Sequence, residues 1–318
     1  MASAESGLIR RYFAELTPRR DDVVVGIGDD AAVLRVPDAH ELVVSTDGLV
    51  AGVHFFPDAD PAEVGYKTLA VNLSDMAAMG AEPRWATLVL TMPSADEGWI
   101  GQFADGFRDI AGQFGVALVG GDLGAGPLAA AVQIAGVVPA GTALRRDRAQ
   151  AGDSVYVTGE LGGAALALSL LKKGTPQVPA ECLQRLHRPV PRVEAGLKLR
   201  GLARTAIDVS DGLFLDLARV AQASGVGAEI ELARVPLAVP VGAVADLDER
   251  LGLGLGSGDD YELCFTAPAG AEPRVMAAMA EAGISATRIG RITGDGRLRW
   301  FLDDGSEYRP QRAGYEHF

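Results

Sequence analysis

The sequence predicts an α/β protein of the α+β type, arranged in two domains. Three observations carry that expectation. Apolar runs of strand length alternate with stretches whose apolar residues recur at helical spacing, in both halves of the chain. A polar segment, "RRDRAQAGD" (145–153), interrupts the pattern near the middle and sets a boundary between domain 1–148 and domain 149–318. The chain is 318 residues long, 48% hydrophobic and 22% charged, enough for two packed cores.

The elements follow in order. A first helix is expected over 8–16. "DVVVGIGDD" reads as a strand ending in a glycine turn, and "AAVLRV" and "ELVVSTD" read as short apolar strands. "PAEVGYKTLAVNLSDMAAMG" has helical spacing, with Pro61 near its start and Gly80 at its end. "WATLVLTMP" is a strand and "DEGWIGQFADGFRDIAGQFG" a helix closed by glycine; "VALVGGD" and "LAAAVQIAGVVP" are strands. The second half restarts with the strand "SVYVTG" and an alanine- and leucine-rich helix. "AIDVSDGLFLDLARVAQASG" gives a strand, a turn and a helix. "GAEIEL", "YELCFTAP" and "ATRIGRI" give strands, with a helix around 275–281.

Bulk properties exclude several functions. The net charge of −13 lacks the basic footprint of a nucleic-acid binder. No apolar run approaches the roughly 20 residues that cross a bilayer, and the N-terminus lacks a signal-peptide pattern, so a cytoplasmic protein is expected. Cys182 and Cys264 form no disulfide framework and no thiolate metal motif.

The acids are concentrated. "GIGDD", "VVSTDG", "NLSDMAAMG", "VGGDLGAG" and "IDVSDG" place aspartate after an apolar run with glycine close by. One Asp before Gly is usually a turn or a cap. Five such sites, built from the shorter acid, match hard divalent cations, and Mg²⁺ in particular takes one or two carboxylates plus substrate phosphates. Asp47, Asp122 and Asp208 are expected at or near strand ends. Thr68, Asn72 and Asp75 fall on one face of a helix, which would offer oxygen ligands there. Gly120, Gly121, Gly124 and Gly126 flank Asp122 and permit close approach of a phosphate, yet neither a P-loop nor a placed dinucleotide fingerprint is present. Arg145 and Arg146 can reach a phosphate or form a solvated linker. His54, flanked by apolar residues, reads on its own as a packed histidine.

Taken in order, "GIGDDAAVL", "VVSTDGLVAGVHF", "GYKTLAVNLSDMAAMGAEP", "GGDLGAGP", "AIDVSDGL", "GSGDDYELCF" and the closing "GYEHF" resemble the thiamine-monophosphate kinases. That family belongs to the superfamily typified by aminoimidazole-ribonucleotide synthetase. The resemblance implies a two-domain PurM-like fold whose N-terminal sheet pairs with that of a second subunit in a homodimer. It implies ATP-dependent phosphorylation of thiamine monophosphate to thiamine diphosphate by direct transfer, assisted by several Mg²⁺ ions. Carried over, the metal ligands are Asp30, Ser45, Thr46, Asp47, Asp75, Asp122, Asp208 and Asp211. The ATP contacts are Gly121, Asp122, Arg146 and Ser210, and the substrate contacts are His54, Asp259 and Tyr315. Asp29 is expected to shape the turn that presents Asp30. Three positions depart from the family's usual residues: Asp259, where Glu is common, Leu123 and Gly48. Two alternatives stand beside it: another ATP-dependent synthetase of the superfamily, which would share the aspartates, and a non-catalytic scaffold that binds nucleotide, against which the retention of Asp30, Asp47, Asp75, Asp122 and Asp211 argues.

Overall fold

The computed structural model describes residues 7–16, 20–311 and 313–315. The chain divides into two compact units. One comprises Met1–Met76 with Ala81–Gly141, the other Ala77–Gly80 with Thr142–Phe318. Among the described residues no helix is long and apolar enough to cross a membrane.

The first unit opens with a helical segment, Ile9–Phe13, that tightens into a single turn over Ala14–Leu16. Strands β1 (Val23–Val25) and β2 (Val33–Leu34) form a two-stranded ribbon, so "AAVLRV" contributes only two strand residues. A four-stranded sheet follows: β3 (His40–Val50), β4 (Glu82–Met92), β5 (Ala117–Ala125) and β6 (Ala129–Pro139), in the order β3-β6-β4-β5. Only β4 and β5 run parallel, because the helix Glu97–Phe114 carries the chain back between them. That helix starts where Asp96 accepts the backbone N–H groups of Gly98 and Trp99, and stops at left-handed Gly115. It buries Ile100, Phe103, Phe107 and Ile110, an i, i+3, i+7, i+10 stripe.

The other face of this sheet is open over part of its area. Along β3 the exposed apolar side chains are Leu42, Val44 and Val50, spaced by even numbers and therefore on one face. Gly48 of β3 and Val89 of β4 both pair with Ala131 of β6, continuing that face, and Val44 and Val89 are 48% and 45% exposed. The β1–β2 ribbon covers the end of the face around Trp85, Ala117 and Val137.

The second unit holds a seven-stranded sheet. Its strands are β7 (Ser154–Thr158), β8 (Thr205–Val209), β9 (Gly227–Glu231), β10 (Glu262–Ala267), β11 (Ala286–Thr293), β12 (Leu298–Phe301) and β13 (Glu307–Tyr308). Their order is β13-β12-β9-β11-β7-β10-β8. Every residue of β7, β8 and β10 is buried, so these strands are covered on both faces. Tyr156 stacks on Phe265 at 5.1 Å, and Phe214 meets Trp300 edge-on at 4.6 Å.

Candidate functional site

The first unit gathers its acids into two groups. In one, Ser45 and Asp47, two apart on β3, share the face turned to the helix Pro61–Ala78. The Ser45 hydroxyl donates to Asp75 Oδ2, and the Asp47 backbone N–H donates to Asn72 Oδ1 at 3.1 Å. Thr46, between them, alternates to the opposite, open face. The helix corrects one sequence expectation. Thr68 Oγ1 donates to the Val64 carbonyl at 2.7 Å and Asn72 Nδ2 to the Thr68 carbonyl at 3.0 Å, and both side chains are buried. Thr68 and Asn72 thus spend their polar atoms on the helix and on β3, which leaves half-buried Asp75 as the helix's acid in a group with exposed Asp47 on β3.

In the other group, Asp30 and Asp122 line one cavity of about 620 Å³ together with Asp29, Gly120, Gly121 and Phe13. Asp29 Oδ1 accepts the Asp30 N–H at 2.8 Å, an Asx-type contact that shapes the turn. Gly121 has φ +148°, and a Cβ there would lie 1.9 Å from the Leu88 carbonyl oxygen, so only glycine lets β5 lie against β4 beside Asp122. Two acids expected at or near strand ends lie inside their strands, Asp47 opposite Val132 and Asp122 opposite Val89. The ladders run on past them: β6 pairs with β3 as far as Val50, and β4 pairs with β5 as far as Ala125.

His54 sits in the turn after β3. Its backbone N–H donates to the Val50 carbonyl at 2.9 Å, and its Nδ1 accepts the Val50 N–H at 3.0 Å. An accepting Nδ1 puts the proton of the neutral ring on Nε2.

In the second unit the predicted residues meet at the end of β8. Asp208 is buried opposite Leu263. The chain then turns through Ser210 and Asp211 into the helix Leu213–Ser224. Residues 258–261 are laced to that turn: Asp259 N–H donates to the Ser210 carbonyl at 2.8 Å and Tyr261 N–H to the Val209 carbonyl at 2.9 Å. Gly258, Asp259 and Tyr261 have φ of +71°, +66° and +53°. For the two non-glycines this costs on the order of 1–3 kcal/mol each, which the lacing must offset. Gly258 is required on a second count, since a Cβ would lie 2.2 Å from the Ser210 carbonyl oxygen. Between them, Asp260 Oδ1 accepts the Gly162 N–H at 2.8 Å, and burial pushes the Asp260 carboxyl well above its ordinary pKa. Tyr315 reaches the same turn through its backbone, donating to the Asp211 carbonyl at 3.0 Å. The rest of the closing motif, residues 316–318, lies outside the described residues.

Two side chains here are absent from the sequence expectation. Asp216 Oδ2 accepts the backbone N–H groups of Ser210 and Asp211 at 3.1 and 3.0 Å. Arg219 Nη1 bridges Asp216 Oδ1 at 2.7 Å and Asp211 Oδ2 at 2.6 Å. Burial pushes the Asp216 carboxyl up to about 6, against the pull of the Asp211 N–H and of Arg219. The signal available was the i, i+3 acid–arginine spacing after "DVSDG". Arg146 begins a short turn and is exposed, while Arg145 forms a two-contact pair with Asp147 at 2.9 and 2.5 Å.

Every side chain placed here as a candidate metal ligand offers oxygen. Among the described residues no three acidic, histidine or cysteine side chains converge into a ready-made cation cage. One or two carboxylates at a time is what Mg²⁺ takes when phosphate oxygens complete its shell, so the donor set fits that ion.

The family described as AIR synthase related protein, N-terminal domain, matches residues 28–139, and its C-terminal counterpart matches residues 150–303. A thiamine-monophosphate kinase of Escherichia coli strain K12 is 44% identical over 322 aligned residues, covering 100% of this chain and 99% of that one. The chain belongs to the AIR synthase related family, among its thiamine-monophosphate kinases. The crystal structure of thiamine-monophosphate kinase from Stenotrophomonas maltophilia K279a is 44% identical and superposes with a TM-score of 0.87 over 97% of this chain and 99% of that one. A second solved structure, AaThiL complexed with AMPPCP and TMP, is 29% identical with a TM-score of 0.78 over 89% of both chains. Among the residues expected to act in such a kinase, only Arg146 and Tyr315 fall outside the two matched spans.

Proposed function

We propose that this protein transfers the γ-phosphoryl group of ATP to thiamine monophosphate, giving ADP and thiamine diphosphate, in the cytoplasm. The observation that carries the reading is the full-length 44% identity to a thiamine-monophosphate kinase. The relative complexed with AMPPCP and TMP supports the same pair of substrates.

The acceptor explains why no general base is assigned. A phosphate monoester has a second pKa near 6, so its attacking oxygen is already anionic at neutral pH. The task left is to bring two anions together in line. Bound Mg²⁺ supplies charge neutralisation at the phosphates. Asp30, Asp47, Asp75 and Asp122, with Ser45 and Thr46, are the first unit's ligand candidates. Asp208 and Asp211 are the second unit's. Gly121 opens the backbone beside Asp122 to the nucleotide, and Ser210 and Arg146 contact it. His54 is fixed by Val50 so that Nε2–H donates to substrate and does not remove a proton. Asp259 and Tyr315 complete the acceptor side, with Asp259 one methylene shorter than the family's usual Glu.

The working form in this reading is a homodimer. Leu42, Val44 and Val89 expose a continuous apolar face on a sheet with helices on its other side, and a second copy of that sheet is its natural cover.

The test is a substrate panel with ATP and Mg²⁺. Thiamine monophosphate is converted to the diphosphate, while free thiamine, whose neutral hydroxyl needs a base, is a poor acceptor. Rapid turnover of thiamine with none of the monophosphate overturns the reading. Turnover of neither substrate leaves the scaffold and synthetase alternatives standing in its place.

A further inference from the structure

Every polar atom of Asp211 but one is engaged. Its N–H donates to Asp216 Oδ2, its carbonyl accepts the Tyr315 N–H, and its Oδ2 accepts from Arg219. Only Oδ1 has no hydrogen bond among the described residues. Turn formation accounts for part of this, since Asp216 in the first turn of the helix Leu213–Ser224 satisfies two N–H groups of the segment that leads into it. Holding that turn does not require the second contact of Arg219. One guanidinium nitrogen touches both carboxylates, which fixes the rotation of the Asp211 side chain and leaves Oδ1 as its one oxygen without a hydrogen bond among the described residues. The formal charges of Asp216 and Arg219 cancel, so Asp211 keeps its single negative charge.

We infer that Asp216 and Arg219 are positioning residues for the reaction, holding Asp211 so that Oδ1 alone faces a divalent cation. The inference rests on the proposed role of Asp211 as a metal ligand. Ligating carboxylates are commonly held by such outer partners, and their loss typically costs 10- to 100-fold in metal affinity.

Two variants separate positioning from bare electrostatics. Arg219→Met removes a positive charge near the cation and Asp216→Asn removes a negative one. If charge alone mattered, the first would strengthen metal binding and the second weaken it. If Asp211 must be held, both weaken it. The measurement is titration of Mn²⁺ by electron paramagnetic resonance on the full chain with AMPPCP present, alongside thermal melting of each variant. We expect about 10-fold or greater loss of Mn²⁺ affinity in both. Arg219→Lys, which retains a donor able to touch both acids, lies within about threefold of wild type. Tighter Mn²⁺ binding in Arg219→Met overturns the inference. So does wild-type binding accompanied only by a lower melting temperature, the result a purely structural turn contact gives. Asp211→Asn is the reference. If it loses Mn²⁺ while Arg219→Met does not, the positioning role alone fails. If Asp211→Asn binds Mn²⁺ as wild type does, the assignment of Asp211 as a ligand fails, and the positioning role with it.

Discussion

The two sheets are made of the same kinds of residue and cover them differently. In the second unit β7, β8 and β10 are buried along their whole length. In the first, β3 alternates, and its outward apolar residues stay exposed. A continuous apolar run therefore means a finished interior in one place, and alternate apolar residues mean an unfinished one in the other. The acids differ in parallel. In the second unit Asp211, Asp216, Glu262 and Asp153 each hold an arginine, whereas Asp30 and Asp122 line an open cavity and make no ion pair among the described residues. The second unit's named acids meet an arginine within the chain, and of the first unit's candidate ligands Asp30 and Asp122 meet none among the described residues.

The sharpest way to break this comparison is to place the same charge in both sheets. Val157→Asp buries an unpaired carboxylate in a core position with 0% exposure. That cost is comparable with a net stability of about 5–15 kcal/mol, so no soluble folded protein is expected. Val44→Asp puts the charge on the open face of β3. It leaves the circular dichroism and melting of each chain near wild type but yields a monomer in light scattering. A Val44→Asp chain that remains dimeric removes the open face from the interface.

The acids sharpen the second half of the comparison. Asp75→Asn and Asp122→Asn keep size and remove charge, and each should lower kcat about 100-fold or more with melting temperature unchanged. Asp47→Asn belongs with them. Asp30→Asn should exceed Asp29→Asn in effect, because the amide oxygen introduced at position 29 can still accept the Asp30 N–H. Rates within about threefold of wild type for all of these, roughly 0.65 kcal/mol, end the metal reading of the first unit.

Much of this was legible beforehand where physics is local. The helix Glu97–Phe114 is marked by its period and by its closing glycine, and the strand "YELCFTAP" by its apolar run. What stayed hidden depends on partners distant in sequence. Asn72 read as a ligand because nothing in its own helix shows that β3 claims its oxygen. Asp216 and Arg219 carry only the i, i+3 spacing common on any helix, and it is the chain reversal at 210–211 that brings backbone N–H groups onto the acid. Strand β12 was missed because "LRWF" is short and lies between charged turns. It is held by β9, which sets Trp300 opposite Ile230, a pairing too distant in sequence for any local pattern to register.

The smallest expected effect tests the one basic residue assigned to ATP. Arg145 and Arg146 are neighbours with equal charge, and sequence alone offers both. The structure separates them. Arg145 Nε and Nη2 are committed to Asp147, a contact that holds the Asp147 carboxyl below its usual pKa. Arg146 is held by its backbone instead: its carbonyl accepts the Ser224 hydroxyl at 2.7 Å, and its side chain is exposed. A guanidinium anchored through its main chain can reach a phosphate without first breaking an ion pair. A hydrogen bond to a charged group is worth about 1.5–3 kcal/mol, so Arg146→Ala should weaken ATP binding roughly 10- to 150-fold while kcat at saturating ATP changes less. Arg145→Ala should shift ATP affinity less, acting only through the turn that Asp147 steadies. Calorimetric titration of both variants with ATP and Mg²⁺ decides between them. Equal affinity in wild type and Arg146→Ala, or a larger loss in Arg145→Ala, returns the segment to a solvated linker.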